Sequence, residues 1–281
     1  MTLVLNLIQM VQYAIISSKL DEASVNMREM ILENYNFITS DEKFEGNSIH
    51  SYNNITLITT NQNLIEVEIN KNLISEKSLI FISKHVSKKG IPAITSHFTG
   101  NVKEAELGGK RKEFGNTDPA LMSEFMKQLK TSKNEINDYE ITLEATHHGP
   151  TSYSVPILFV EIGSQIKNWQ DKKTGKVVTR CLIDAICNMK NVKQDKGTGI
   201  GFGGLHYSRK FTELICQEGY SIAGYISKHN LEFVDDEIIL QMINKSIKKV
   251  DFIFLDWKGL GKNKNKILEL AEKTSLKIIK I

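Results

Sequence analysis

Tyr139-Glu140-Ile141-Thr142-Leu143-Glu144-Ala145-Thr146-His147-His148-Gly149-Pro150 is the stretch on which the reading of this chain turns. Up to Ala145 it alternates. Tyr139, Ile141, Leu143 and Ala145 fall on one side, and Glu140, Thr142, Glu144 and Thr146 on the other, which is the period of a strand. Gly149 relaxes the backbone and Pro150 cannot donate to a ladder, so the strand is expected to stop there. A strand that delivers Glu144, Thr146, His147 and His148 to its exit presents reactive groups at a sheet rim. One histidine in such a place would read as ordinary loop.

Working outward, other strands end in the same way. The apolar run 79–82 leads into Ser83-Lys84-His85, and 93–95 leads into Ser96-His97 with Asn101 beyond. Residues 157–160 lead into Glu161, and 250–255 lead into Asp256-Trp257-Lys258. His206 follows the series Gly199, Gly201, Gly203, Gly204. Residues 13–17, 220–226 and 276–281 also read as strands. Residues 43–54 read as polar loop, and 55–60 with 64–69 as a hairpin. Helices are expected after caps at Asp21 and Ser24, at Thr117 or Asp118, at Ser208, and at Asp235 or Asp236, and across 177–189 and 267–271. Thr117-Asp118-Pro119 precedes the stripe Leu121, Met122, Phe125, Met126, Leu129, which is core.

Strands alternating with amphipathic helices predict an α/β fold, a mostly parallel sheet covered by helices on both faces with some antiparallel additions. With no repeat and no linker, residues 13–281 read as one elaborated domain and 1–12 as an N-terminal extension, with Met10 an alternative start. Ligands of open parallel sheets bind beyond the carboxyl ends of the strands. The polar tips are therefore expected to share one crevice.

The totals permit this without naming a partner. The chain has 281 residues, 41% hydrophobic and 25% charged, with a net charge of +3. Any nucleic-acid face must come from local clusters such as Lys110-Arg111-Lys112, or the lysines near 172 and 262. Cys181, Cys187 and Cys216 show no metal or disulfide spacing and read as reduced cytoplasmic residues. The apolar N-terminus is too short to span a bilayer and lacks a signal peptide's basic region, so no membrane is expected.

Histidine as base with a carboxylate beside it suits hydrolysis. The same groups suit Zn²⁺, but HExxH is absent and the residues alone leave metal open. No GxSxG elbow supports nucleophilic serine catalysis. The glycines miss the GxGxxG register. They read either as backbone pressed against a ligand or as a tight turn.

SKHVS from Ser83, TSHFTGN from Thr95, EATHHGPT from Glu144, FVEIGS from Phe159, GIGFGGLHY from Gly199 and DWKGL from Asp256 together resemble the archaeal-type D-aminoacyl-tRNA deacylases, in family order. The resemblance implies hydrolysis of the ester between a D-amino acid and tRNA, a phosphorylase- and hydrolase-like fold, and an association with zinc. tRNA carrying a D-amino acid is the expected partner, and a monomer is favoured. On these positions the expected catalytic residues are Glu144, His147 and His206, with Glu144 orienting His147. The expected metal ligands are His97, His148 and Glu161. The expected substrate contacts are His85, Asn101, Gly199, Gly201, Gly203, Gly204 and Lys258. Two other functions fit the residues: a metal-dependent hydrolase or phosphorylase of a small nucleoside-like substrate, and a non-catalytic RNA-binding module.

Overall fold

The apolar runs form the centres of two sheets in a computed structural model that describes residues 12–74, 77–191 and 196–281. Residues 1–11, nearly all of the expected extension, lie outside the described residues. In chain order the strands are β1 (Gln12–Ser18), β2 (Ile38–Phe44), β3 (Asn47–Tyr52), β4 (Ile55–Thr60), β5 (Lys77–Val86), β6 (Ala93–His97) and β7 (Glu140–Glu144). They continue with β8 (Ile157–Ser164), β9 (Thr198–Phe202), β10 (Tyr207–Ser208), β11 (Ser221–Ile226), β12 (Val250–Leu255) and β13 (Lys277–Lys280). The helices are α1 (Glu22–Asn34), α2 (Lys71–Ile74), α3 (Pro119–Thr131), α4 (Ile166–Trp169), α5 (Lys172–Asn188), α6 (Arg209–Cys216), α7 (Asp236–Asn244) and α8 (Lys264–Glu272). Asp21, Asp118, Ser208 and Asp235 each accept a hydrogen bond from a first-turn amide, at Ser24, Leu121, Phe211 and Ile238.

The larger sheet has nine strands in the order β10-β7-β6-β8-β5-β1-β4-β3-β2, and the smaller has four in the order β11-β9-β12-β13. The pairs β1–β4, β1–β5, β5–β8 and β6–β7 are parallel, as are all three pairs of the smaller sheet. The polar tips are thus divided between two sheets. Moreover, β6 runs antiparallel to β8, so β6 and β7 reach the centre of the larger sheet from the direction opposite to β5 and β8.

Residues 38–52 form an edge hairpin rather than loop, because β2 pairs with β3 and β3 with β4, while β2 stays largely exposed. Residues 64–69 are not a strand. They cross the larger sheet and bury Leu64, Val67 and Ile69 on the face carrying Ala14, Ile16, Phe81 and Phe159. That face is covered mainly by this segment and the short α2, whereas α1, α3 and α5 cover the opposite face through Met27, Phe125, Val178 and Leu182. Helices lie on both faces of the smaller sheet, Phe211 of α6 on one side and Ile238 of α7 with Ile267 of α8 on the other.

Candidate active site

Period-two geometry assembles the site. Ser83 pairs with Glu161, Thr95 pairs with Glu161 from the other side, and His97 pairs with Phe159. Side chains two apart on a strand share a face. His85, Glu161, His97 and Glu144 therefore all project from the face that begins with the stacked rings of Phe81 and Phe159, 5.0 Å apart. The loops that leave β6 and β7 then pair with each other: Thr99 bridges to His147, and the Gly100 amide donates to the His148 carbonyl at 2.9 Å. A Cβ at Gly100 would stand 2.6 Å from the Phe114 ring, which explains that glycine. Of the seven histidines in the chain, five (His85, His97, His147, His148 and His206) meet here.

Three imidazoles are fixed by backbone carbonyls. His97 Nδ1–H donates to the Phe98 carbonyl at 3.1 Å, His147 Nδ1–H to Ala145 at 2.7 Å, and His148 Nδ1–H to Gly149 at 2.6 Å. When such a ring is neutral, the proton on Nδ1 leaves a lone pair on Nε2. The rings lie together, with centroids 4.2 Å apart for His97 and His147 and 4.4 Å for His147 and His148. His97 Nε2 is buried and has no hydrogen-bond partner, the nearest carboxylate oxygen, on Glu161, being 3.7 Å away. His148 holds φ at +44°, a conformation that non-glycine residues adopt at some energetic expense and that clusters at functional sites. An unsatisfied buried acceptor beside two further imidazole lone pairs fits a metal ion. Ligand nitrogens of His97, His147 and His148 lie within 4.8 Å of one another.

The carboxylates sit deeper. Glu161 is held by Ser83 Oγ at 3.0 Å and Thr95 Oγ1 at 3.4 Å, and belongs with His85 and Glu144 rather than with the imidazole trio. Of the expected ligands, His97 and His148 thus lie with His147, while Glu161 lies with His85 and Glu144. Glu144 Oε2 accepts from His206 Nε2 at 2.9 Å, and Oε1 lies 3.1 Å from His85 Nδ1. Burial pushes both carboxyls upward, but their histidine partners more than offset it and hold both below the usual range, Glu144 well below. For His85 burial works against protonation, yet Glu144 and Glu161 raise it to about 10. Burial and the neighbouring rings push His147 well down, and His148 down to about 4. Burial also works against protonation of His97, but Glu161 and Glu144 outweigh it and raise that ring, so the two ionised carboxylates stand beside neutral, lone-pair-bearing His147 and His148. His147 lies 3.9 Å from Glu144, so it is Ala145 that orients its ring.

His206 comes from the junction of the sheets. Its carbonyl accepts from the Ala145 amide at 2.8 Å and from the Tyr225 hydroxyl, while the Thr146 amide donates to the Tyr225 carbonyl at 2.9 Å. Tyr207, which follows it, pairs with Glu144 across β10 and β7 and puts its hydroxyl 3.3 Å from His85 Nε2. Tyr207 and Phe159, stacked at 5.1 Å on His97, were not among the expected site residues. Their placement opposite Glu144 and His97 becomes apparent once strand pairing is known.

The remaining expected residues lie elsewhere. Gly199 and Gly201 are inside β9, where a Cβ would stand 2.3 Å from Phe254 and 2.4 Å from Phe211, so aromatic rings fill their space. Gly203 and Gly204 turn at positive φ against Asp256. Lys258 is exposed after β12, and Asp256 is engaged by Lys210 at 2.7 Å. Asn101 donates to the carbonyls of Gly108 and Lys110 and so shapes a loop. That loop walls a cavity of about 730 Å³ with Ile65, Val67, Pro150 and Tyr153. Arg111 and Lys112 are paired with Glu104 and Asp235, both at 2.6 Å.

The D-aminoacyl-tRNA deacylase family model matches residues 74–279. The chain is 34% identical over 275 residues to a D-aminoacyl-tRNA deacylase of Pyrococcus abyssi, covering 95% of this chain and 98% of that one. It is 37% identical over 205 residues to one of Methanosarcina acetivorans, covering 72% and 66%. A crystal structure of AF0625, a conserved protein of unknown function, superposes with a TM-score of 0.87 at 28% identity, covering 96% and 95% of the two chains. The chain belongs to the D-aminoacyl-tRNA deacylase family.

Proposed function

We propose that this protein hydrolyses the ester joining a D-amino acid to the terminal ribose of tRNA, releasing the free amino acid and tRNA. The observation behind this reading is the set of three carbonyl-held imidazoles converging beside an ionised, buried Glu144, in a chain whose relatives carry that activity in their names. His97, His147 and His148 would hold zinc through Nε2. Bound there, zinc would supply Lewis-acid chemistry for ester hydrolysis.

The protein's own groups do the rest. Glu144 takes the proton of the attacking water, since its Oε2 faces both His147 and His206. By way of His206, partly exposed and hydrogen-bonded to Glu144, that proton reaches the departing ribose oxygen, so the ribose leaves as its hydroxyl and Glu144 returns to the carboxylate. His85 and Glu161 form the buried charged base that keeps Glu144 ionised and oriented. The cavity beside Pro150, two residues beyond His148, offers room for the aminoacyl side chain.

The decisive experiment incubates the purified protein with matched D- and L-tyrosyl-tRNA, with and without chelator, and follows release of the amino acid. Preferential release from the D-ester, lost on chelation and restored by zinc, is the expected result. Equal rates on both enantiomers would sink the D-specific reading, and full activity after exhaustive metal removal would remove zinc.

A further inference from the structure

We propose that the carboxyl edge of the four-stranded sheet holds the sugar–phosphate backbone of the tRNA, an inference that rests on the functional reading above. All four strands run parallel, so their carboxyl ends share one edge. That edge carries Lys228 after β11, Lys258 and Lys262 after β12, and Lys280 at the end of β13, all exposed. Trp257 fixes two ammonium groups there, with Lys280 Nζ 3.9 Å and Lys264 Nζ 5.1 Å from its ring centroid. Cation–π contact holds a lysine in place without neutralising it. Asp256, an acidic group on this edge, is engaged by Lys210, which also donates to the Ile281 carbonyl at 2.9 Å. Among the described residues, none of these five lysines is in an ion pair.

The edge also adjoins the chemistry. The Lys228 amide donates to the Gly204 carbonyl at 2.8 Å, and Gly204 lies two residues before His206, at most about 7 Å of chain. A strand whose 3′ end sits at Glu144 and His206 therefore emerges beside these lysines. The sequence cluster at 110–112 offers less, because two of its three charges are spent on Glu104 and Asp235. Backbone recognition by uncompensated cations is governed by counterion release.

The test is the triple variant Lys228→Glu/Lys262→Glu/Lys280→Glu, with the matching triple Gln variant as a milder version should the first fail to fold. Binding of deacylated tRNA is measured against salt, and hydrolysis against D-tyrosyl-tRNA and a 3′-O-D-tyrosyl-adenosine ester. The log–log salt slope should become shallower by about 2 to 3 and KM for the tRNA substrate should rise at least about tenfold, with the adenosine ester hydrolysed normally. Unchanged slope and KM would overturn the proposal. So would equal losses on both substrates at normal thermal stability, which would assign the lysines to the site itself. Wild-type protein inactive on both D-esters would instead refute the functional reading, and the salt slope would still judge the surface.

Discussion

The two sheets end their strands in similar-looking polar residues and use them differently. In the nine-stranded sheet, β6 and β7 run against β5 and β8, and five histidines and two carboxylates are pressed into mutual contact. In the four-stranded sheet all strands run one way, glycines make room for Phe211 and Phe254, and the polar ends point outward as separate lysines. Reversal of strand direction concentrates functional groups, and uniform direction spreads them along an edge.

The largest effect that could break this contrast is at Glu144. Glu144→Gln keeps the shape and removes the charge that His85, His147 and His206 surround, so kcat should fall by about 10²–10⁴-fold with the fold intact by circular dichroism. A near-normal rate would remove Glu144 from proton transfer. Next, His97→Ala or His148→Ala should weaken zinc binding by more than the roughly 10–100-fold that loss of an outer partner costs, while Lys258→Ala leaves it unchanged. Zinc measured by atomic absorption that is equal in all three variants would dissolve the distinction between the sheets.

In the smaller sheet the expected loss is of stability rather than turnover. Gly201→Val must push on Phe211 and Tyr225, which should cost about 1–3 kcal/mol in urea unfolding and spare kcat per folded molecule. A selective loss of kcat would restore Gly201 to the site. A smaller effect is pH-dependent. His85 is raised to about 10 in the fold by Glu144 and Glu161, against burial, from an ordinary value near 6.5. Its contribution is therefore complete below about 6.5 and lost as pH climbs through about 10. Metal-free protein should lose unfolding free energy across that window, and His85→Gln should flatten the loss. The smallest is Arg111→Ala, whose pair with Glu104 is exposed on both sides. A stability change within about 0.5 kcal/mol is expected, with KM for tRNA unmoved.

Much of this was legible in the residues because it depends on local chemistry. The alternation from Tyr139 to Ala145 fixed which side chains face the site, and the four caps marked where helices begin. Period-two patterns name a face but not a direction, so the antiparallel entry of β6 was hidden, and with it the contact of His97 with His147. The edge hairpin escaped because β2 is polar and exposed, leaving no apolar rhythm to read. The glycines at 199 and 201 stand two apart, a strand signal for one face hollowed to receive rings. Their partners Phe211 and Phe254 are distant in sequence, so only the fold reveals what fills them.

The clamp on the His206 carbonyl has a consequence for heating. Ala145 belongs to the larger sheet's rim and Tyr225 to the smaller sheet, so His206 stays beside Glu144 only while both hold it. The imidazole trio depends on carbonyls at Phe98, Ala145 and Gly149, all on the larger sheet's own loops. Loosening of the junction would withdraw His206, the proposed proton donor, before it disturbs the trio. Inactivation and release of a bound ion then become two events on a temperature scale, the first reporting the seam between the sheets and the second the collapse of the larger one.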